Sequence, residues 1–477
     1  MSTKSRYITT TLPYVNARPH IGHALEVVQA DALARYWRLM GDEVFFNTGT
    51  DEHGQKIYEE AIKAGKEPQT YVDEYAATFD ALKMGLNLSN DAFIRTTDLR
   101  HIQAAQEMWK RCDAAGDIYK DTFEGLYCVG CERYLTERDL EDGKCPFHPD
   151  REPERVTEEN YFFRFSKYAG KLTEYLKKEE SVIPEVRRKE ALQFVENGLT
   201  DFSISRRKER LHWGVPVPGD DEHVMYVWFD ALANYISTLG WGGDDEKNFE
   251  NFWVNGETLQ MAGKDQVRFQ SLMWQAMLIS AGVPNTDHIF YHGFITSGGQ
   301  KMSKSLGNVI DPMALVEKYG TDAVRYFLLR HVHPTEDSDM TEEKFVEAYN
   351  ANLANGLGNL TARIMKMAED NLDGPAEIPP PVVFAQEYTD TLERFAFNEA
   401  LDCVWAQIGA LDEKITTTEP FKLIKTNPNE AKQIIAELAQ GLYIVGRMLY
   451  PFMPETNVAI KEAVKANKKP DTLFARI

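Results

Sequence analysis

The 477-residue sequence contains no run of about 18 apolar residues, so no transmembrane helix is expected. Its opening stretch, MSTKSRYITTTLPY, lacks the apolar segment of a signal peptide, and a cytoplasmic location is expected. Cysteine is scarce: 5 residues are too few for a disulfide scaffold. Basic residues are outnumbered, 53 Lys and Arg against 74 Asp and Glu, and the net charge of −21 argues against a general, salt-driven nucleic-acid binder. A local basic groove stays open. Its candidate is Arg206, Arg207, Lys208 and Arg210, which read equally as a solvated surface segment. With 43% hydrophobic and 27% charged residues the chain is neither disordered nor fibrous, and its length suits roughly three domains.

Organisation follows from periodicity. YITTTLPY (7–14) reads as a buried strand closed by Pro13 and Pro19. From Ile21 to Met40, Ala24, Val27, Val28, Leu33 and Trp37 recur at helical spacing. Gly41 and Asp42 stop that helix, and EVFFNT (43–48) is a second strand. Strand–helix–strand of this kind is a βαβ unit, which predicts a parallel sheet. Residues 112–160 break into short glycine- and cysteine-punctuated pieces, as an insertion would. Strand signals return at 258–262, before a helical run over Val267–Ala281, and at 288–294, before the glycine-rich TSGGQKMSKSLGN. After Asp339 the chain reads as helical, with a proline-rich break at 372–383 and interruptions at Thr417–Pro420 and Asn427–Pro428.

Three clusters carry chemistry. His20 and His23, in Pro19-His20-Ile21-Gly22-His23, share one face of a first helical turn, where backbone amides favour anions. Two imidazoles there can donate to phosphate oxygens, and Gly22 leaves room for a nucleotide against the backbone. Alone, the motif is equally two surface histidines. Lys301 and Lys304, in KMSKS, can clamp a triphosphate and stabilise the leaving pyrophosphate, or form an ordinary basic loop. Cys128, Cys131, Cys145 and His148 form two ligand pairs, C-x2-C and C-x2-H. Cys3His is a tetrahedral zinc set with no position left for water, so one structural Zn²⁺ per chain is expected. Cys112 and Cys403 sit in helical text as core residues.

The HIGH motif followed by KMSKS, each after a strand, resembles the class I aminoacyl-tRNA synthetases. TLPYVNARPHIGHALE, TGTDEHGQK (48–56), YVWFDALANY (226–235) and the knuckle GLYCVGCERYLTERDLEDGKCPFH (125–148) are similar to the methionyl-tRNA synthetases of the single-knuckle type, over essentially the whole chain to about residue 450. The resemblance implies an α/β fold. A Rossmann-type parallel-sheet catalytic domain (1–112 and 201–297) would be split by a zinc-binding connective insertion (113–200). A KMSKS loop and stem-contact region (298–340) and an all-α anticodon-binding domain (341–477) would follow.

It also implies roles. Leu12, Tyr14, Trp228, Ala231 and Tyr235 would surround the methionine side chain, and Asp51 would pair with its ammonium. Asp265 would contact the adenosine ribose, and Arg206 would lie near the reacting carboxylate and phosphate. His20, Gly22, His23, Lys301 and Lys304 would bind ATP, taken with Mg²⁺. Asn359, Arg363 and a stacking Phe421 would read the anticodon of tRNA(Met). Without the resemblance, Trp228, Ala231 and Tyr235 are a core stripe, and Asn359 and Arg363 a polar helix face. Glu26 and Lys56 carry no assigned role.

The match is not complete. Gln266 stands where the family carries an apolar residue, and Gln270 stands where it carries a pocket histidine. Gln270 still donates and accepts, but does not titrate near neutrality. Phe421 replaces the usual tryptophan and lacks its N–H donor. No insertion is large enough for an editing domain, which argues against the valine, isoleucine and leucine enzymes. No further C-terminal domain of the dimerising kind is seen, so a monomer is expected. Three rivals remain: another short class I synthetase such as the cysteinyl enzyme, a synthetase-like tRNA-binding protein that does not activate an amino acid, and a small nucleotidyltransferase sharing the HxGH turn.

Overall fold

The computed structural model describes residues 3–129, 133–135, 140–146, 152–302, 307–378 and 383–477. Cys131, His148 and Lys304 lie outside these residues, as does the side chain of Lys301. The chain divides into two compact units. One comprises 1–19, 41–81 and 90–292, and the other 20–40, 82–89 and 293–477.

The first unit is built on six parallel strands: β1 (Ser5–Thr10), β2 (Glu43–Thr50), β3 (Ala92–Arg95), β4 (Val182–Ile183), β5 (Glu257–Gly263) and β6 (His288–His292). They lie in the order β3-β2-β1-β5-β6-β4. This is a Rossmann-like sheet, as expected, and strand order reverses between β1 and β5. In β1 and β5 all residues but the first are buried, the run-on apolar pattern of a strand covered on both faces. Close packing is strict at Gly49, where a Cβ would come within 1.8 Å of the Ile94 carbonyl oxygen.

The short edge strand β4 comes from within the span read as insertion. Two residues are too few for any periodicity to announce it. The insertion also differs from the short pieces expected. Ile118–Cys128 pairs antiparallel with Glu154–Phe163 along most of their length, in a four-stranded sheet completed by Arg133–Leu135 and Phe202–Ser203. Glu154–Phe163 is charged on the exposed face of its first half, which hides its alternation in the sequence.

The second unit holds α1 (Ile21–Met40), α2 (Thr321–Arg330) and a helical C-terminal region with α3 (Asn359–Asn371), α4 (Phe397–Thr418), α5 (Pro428–Leu449) and α6 (Pro454–Ala466). Pro428 and Pro454 occupy first-turn positions, where the missing N–H costs nothing. Glu419, with φ 42°, ends α4 at the predicted interruption. A wide π-type stretch, Tyr349–Gly358, precedes α3. The buried face of α1 includes Asp31, whose carboxylate meets Arg35 and Arg325 at 2.7 Å each. Arg325 is buried and donates further to the carbonyls of Leu86, Pro451 and Phe452. Among the described residues no helix is long and apolar enough to cross a membrane.

Candidate active site

Beyond the carboxyl ends of β1 and β2 the chain keeps pairing. Asp51 N–H donates to the Pro13 carbonyl (3.0 Å), Val15 N–H donates to the Asp51 carbonyl (3.2 Å), and Tyr14 and Asp51 form an isolated parallel bridge. Two of the expected methionine-binding residues therefore stand side by side, at the end of a parallel sheet where ligands bind. Leu12 is half-buried on the same segment.

The opposite group sits on short helices. Trp228 and Ala231 belong to Val227–Ala231, and Tyr235 to Asn234–Ser237, so the predicted single helix face is broken at Leu232–Ala233. Trp228 stacks on Phe269 with ring centroids 3.9 Å apart and planes 12° apart. Gln270 lies on a π-type turn, Phe269–Met273, inside the run predicted as plain helix. Such wide turns re-aim side chains and recur at functional sites. Buried to 1% exposure, Gln270 donates through Nε2 to the Tyr235 hydroxyl (2.6 Å) and accepts at Oε1 from Gln260 (3.3 Å). Tyr235 is further fixed by the Tyr7 hydroxyl, which donates to its carbonyl at 2.8 Å.

Asp265 is exposed on a single 3₁₀ turn directly after β5 and accepts from Gln266 Nε2 at 3.1 Å. Arg206 is buried. Its Nη1 donates to Ser205 O (2.7 Å) and Ser203 Oγ (3.1 Å), and its guanidinium lies over the rings of Tyr226 and Tyr127. Arg210 is engaged by Glu154 and Glu158, and Arg207 by Glu222. Of the four basic residues expected to form a groove, burial takes Arg206 and carboxylates meet Arg207 and Arg210, which leaves Lys208.

In the second unit, His20 and His23 stack with ring centroids 3.8 Å apart. Gly22 N–H donates to His20 Nδ1, and His20 N–H donates to His23 Nδ1, both at 3.1 Å. A backbone amide can only donate, so each Nδ1 is an acceptor and the ring proton sits on Nε2. Burial lowers the His20 pKa, so at neutral pH this ring is an uncharged Nε2–H donor rather than a cation. A Cβ on Gly22 would come within 2.9 Å of the His20 ring. Ile21 N–H donates to the Ile310 carbonyl (3.0 Å), joining the HIGH turn to the chain just past KMSKS. Lys301 ends a hairpin, 295–301, that turns on Gly298 and Gly299, both at positive φ as a two-residue turn requires.

Arg363 and Phe421 line one cavity of about 520 Å³ with Lys366, Met367, Ile415 and Lys469. Asn359 is exposed one turn before Arg363 and is not part of its lining. Arg363 is ion-paired to Asp412, and Lys366 to Asp370. In the insertion, Cys128 and Cys145 are buried with Leu135 in one small cluster, packed by Leu126 and Leu140. Among the described residues no group of three or more His, Cys, Asp or Glu is arranged to hold a metal, and two of the four expected ligands lie outside them.

The sequence reading missed a buried polar framework beside the Tyr14–Asp51 bridge. Glu52 accepts from Arg95 at 2.6 and 2.9 Å, and its carbonyl accepts from Trp213 Nε1 at 2.6 Å. Asp230 lies between His53 and His101. The available signal was a carboxylate inside the apolar stretch YVWFDALANY, because aspartate is seldom fully buried without partners.

A family model described as tRNA synthetases class I (M) matches residues 6–152 and 149–365. The chain belongs to the methionyl class I aminoacyl-tRNA synthetases. Relatives named methionine–tRNA ligase include one from Thermotoga maritima, 41% identical over 97% of this chain and 76% of that protein, and one from Rhizobium meliloti, 42% identical over 95% and 90%. A solved methionyl-tRNA synthetase of Mycobacterium tuberculosis, bound by methionyl-adenylate, superposes with a TM-score of 0.88 at 36% identity, covering 99% of both chains.

Proposed function

We propose that the chain activates L-methionine with ATP and passes the methionyl group to its tRNA. In the first step a methionine carboxylate oxygen attacks the α-phosphorus, the bond to the β-phosphate breaks, and methionyl-adenylate and pyrophosphate result. The methionyl carbonyl then moves to the terminal ribose of tRNA(Met), releasing AMP. The observation that carries this reading is the linked set Tyr14–Asp51, Trp228–Phe269 and Gln270–Tyr235, in a chain of this family.

In this reading Asp51 holds the substrate ammonium, while Leu12, Tyr14, Trp228, Ala231, Tyr235 and Gln270 form the side-chain slot. A thioether is unbranched and polarisable, which suits an aromatic slot. Gln270 takes over the polar end by fixing the Tyr235 hydroxyl. Asp265 meets the ribose, and Arg206 the region of the reacting carboxylate. His20 and His23 donate Nε2–H to phosphate oxygens, with Gly22 keeping the backbone close. Lys301 and Lys304 stabilise the pyrophosphate as charge develops, so catalysis is orientation and charge stabilisation. The nucleotide enters as its magnesium complex. Arg363, Asn359 and Phe421 take the anticodon, with an aromatic face and a cation in one cavity to stack and pair with unstacked bases.

The two buried thiols suit a structural zinc held by Cys128, Cys131, Cys145 and His148, which would cross-link the insertion and take no part in the reaction. Purified protein should hold one zinc per chain and lose it in Cys128→Ser. The domain partition read from the sequence, a cytoplasmic location and a monomeric state belong to the same proposal. Light scattering tests the last.

Amino-acid-dependent ATP–pyrophosphate exchange without tRNA tests the function. Methionine is expected to support exchange, and leucine, isoleucine and cysteine to fail. Exchange with another amino acid would overturn the substrate, and exchange with none would favour a non-activating tRNA-binding protein.

A further inference from the structure

The buried framework beside the pocket has a single centre. The Asp230 side chain is fully buried. Its Oδ2 lies 2.7 Å from His53 Nδ1, and its Oδ1 lies 2.7 Å from His101 Nε2. The far nitrogen of His101 lies 3.1 Å from Ser237 Oγ. Burial alone would push the Asp230 pKa up, but the two imidazoles outweigh it and the net direction is down. The group is therefore an ionised acceptor for both rings. Three elements meet on it: the Asp51–Gly54 loop leaving β2, the helix Leu99–Ala114, and the short helix Val227–Ala231.

Sequence neighbours make this arrangement matter. His53 is two residues from Asp51, and the intervening Glu52 is clamped by Arg95 and by the hydroxyls of Thr50 and Thr97. The loop carrying Asp51 thus has two successive anchors, of which the second is Asp230. Asp230 itself lies between Trp228 and Ala231 in the chain. One carboxylate ties the segment that would hold the substrate ammonium to the segment that would hold its thioether. A hydrophobic trio of like volume would hold the fold about as well, since buried ionic groups contribute little net stability. It would not fix direction: each Asp230 oxygen meets one nitrogen of one ring, and Ser237 meets the other nitrogen of His101.

We infer that Asp230 is a positioning residue of the amino-acid pocket, setting the distance between its ammonium end and its side-chain end through His53 and through its own helix. This rests on the methionine-activating reading above. Shifting Asp51 relative to Trp228 by a fraction of an ångström would weaken methionine selectively. It would also relax discrimination against ethionine, which is longer by one methylene.

The test is pyrophosphate exchange with methionine and with ethionine, for the parent and for His53→Ala, His53→Asn and Asp230→Asn. Asparagine places an amide N–H near the position of Nδ1, and alanine does not. For His53→Ala the methionine KM is expected to rise on the order of tenfold or more, with the ATP KM within about twofold and the methionine preference over ethionine reduced. His53→Asn is expected to recover most of the loss. Equal losses in His53→Ala and His53→Asn would overturn the inference, as would parallel rises in both KM values, or a fall in thermal stability with unchanged exchange kinetics. If Asp230→Asn does not fold, the His53 pair still decides. A parent protein without methionine-dependent exchange would remove the functional reading and this inference together, whereas an active parent with unaltered variants would remove the inference alone.

Discussion

One buried carboxylate from each compact unit, Asp230 and Asp322, shows two opposite ways of holding a charge. In the first, Asp230 has a ring N–H for each oxygen and stays ionised. In the second, Asp322 at the start of α2 accepts at one oxygen from the amide and hydroxyl of Thr456, at 2.6 and 2.7 Å. Its other oxygen has no hydrogen-bond partner among the described residues. Burial pushes its pKa up to about 6 despite those bonds and the nearby Arg325. The difference is the partner and not the depth. A ring N–H on each oxygen holds a charge in the interior, whereas an amide and a hydroxyl on the same oxygen leave the other unmet and the carboxylate takes up a proton near pH 6. Asp31, in the same unit as Asp322, shows the rule from the other side: burial would raise its pKa, but Arg325 and Arg35 bring it down.

Removing the cation-held charge should have the largest effect. Asp31→Asn leaves Arg325 buried without its carboxylate and is expected to cost about 3–5 kcal/mol of stability, read by denaturant unfolding. A loss below about 1 kcal/mol would mean that the three carbonyls alone satisfy Arg325.

Asp322→Asn should act the other way. The folded chain keeps the Asp322 proton to about pH 6, whereas the unfolded chain releases it near 3.8, the ordinary aspartate value. Between these the folded state binds more protons, so stability falls as pH rises, by about 3 kcal/mol in total. The asparagine variant carries no such penalty. Its stability relative to the parent should grow from about pH 4 to about pH 7 in thermal unfolding, and an unchanged difference across that range would sink the assignment.

The exposed carboxylate Asp412 marks the weak limit. Arg363→Ala is expected to lower tRNA affinity by about 1–3 kcal/mol with pyrophosphate exchange unaltered. Asp412→Ala removes a surface pair worth under about 1 kcal/mol and should leave tRNA affinity nearly unchanged. Should both variants lose tRNA equally in filter binding, Asp412 would be orienting the guanidinium rather than merely neutralising it.

Legibility in the sequence followed locality. The alternation of strand, helix and strand over 7–48 needs only near neighbours, and it yielded the parallel sheet and α1. The interruption at Asn427–Pro428, where α5 begins, was readable for the same reason. The edge strand β4 was not, because its pairing partner β6 lies about a hundred residues away and two residues carry no period. The π-type turn at Phe269–Met273 was hidden too, since a widened turn uses the same apolar residues as a regular helix. The candidate pocket was readable only through family resemblance. Trp228, Ala231 and Tyr235 alone describe a core stripe. The framework of Glu52, His53, His101 and Asp230 joins residues far apart in the chain, which no spacing rule connects.

The bond from Ile21 N–H to the Ile310 carbonyl completes a set. The first four amides of a helix have no partner inside it. In α1 all four are met: Ile21 by Ile310, Gly22 by the His20 ring, and His23 and Ala24 by the His20 carbonyl. An anion arriving at the HIGH turn therefore meets imidazole N–H groups and the field of the helix, not a bare amide.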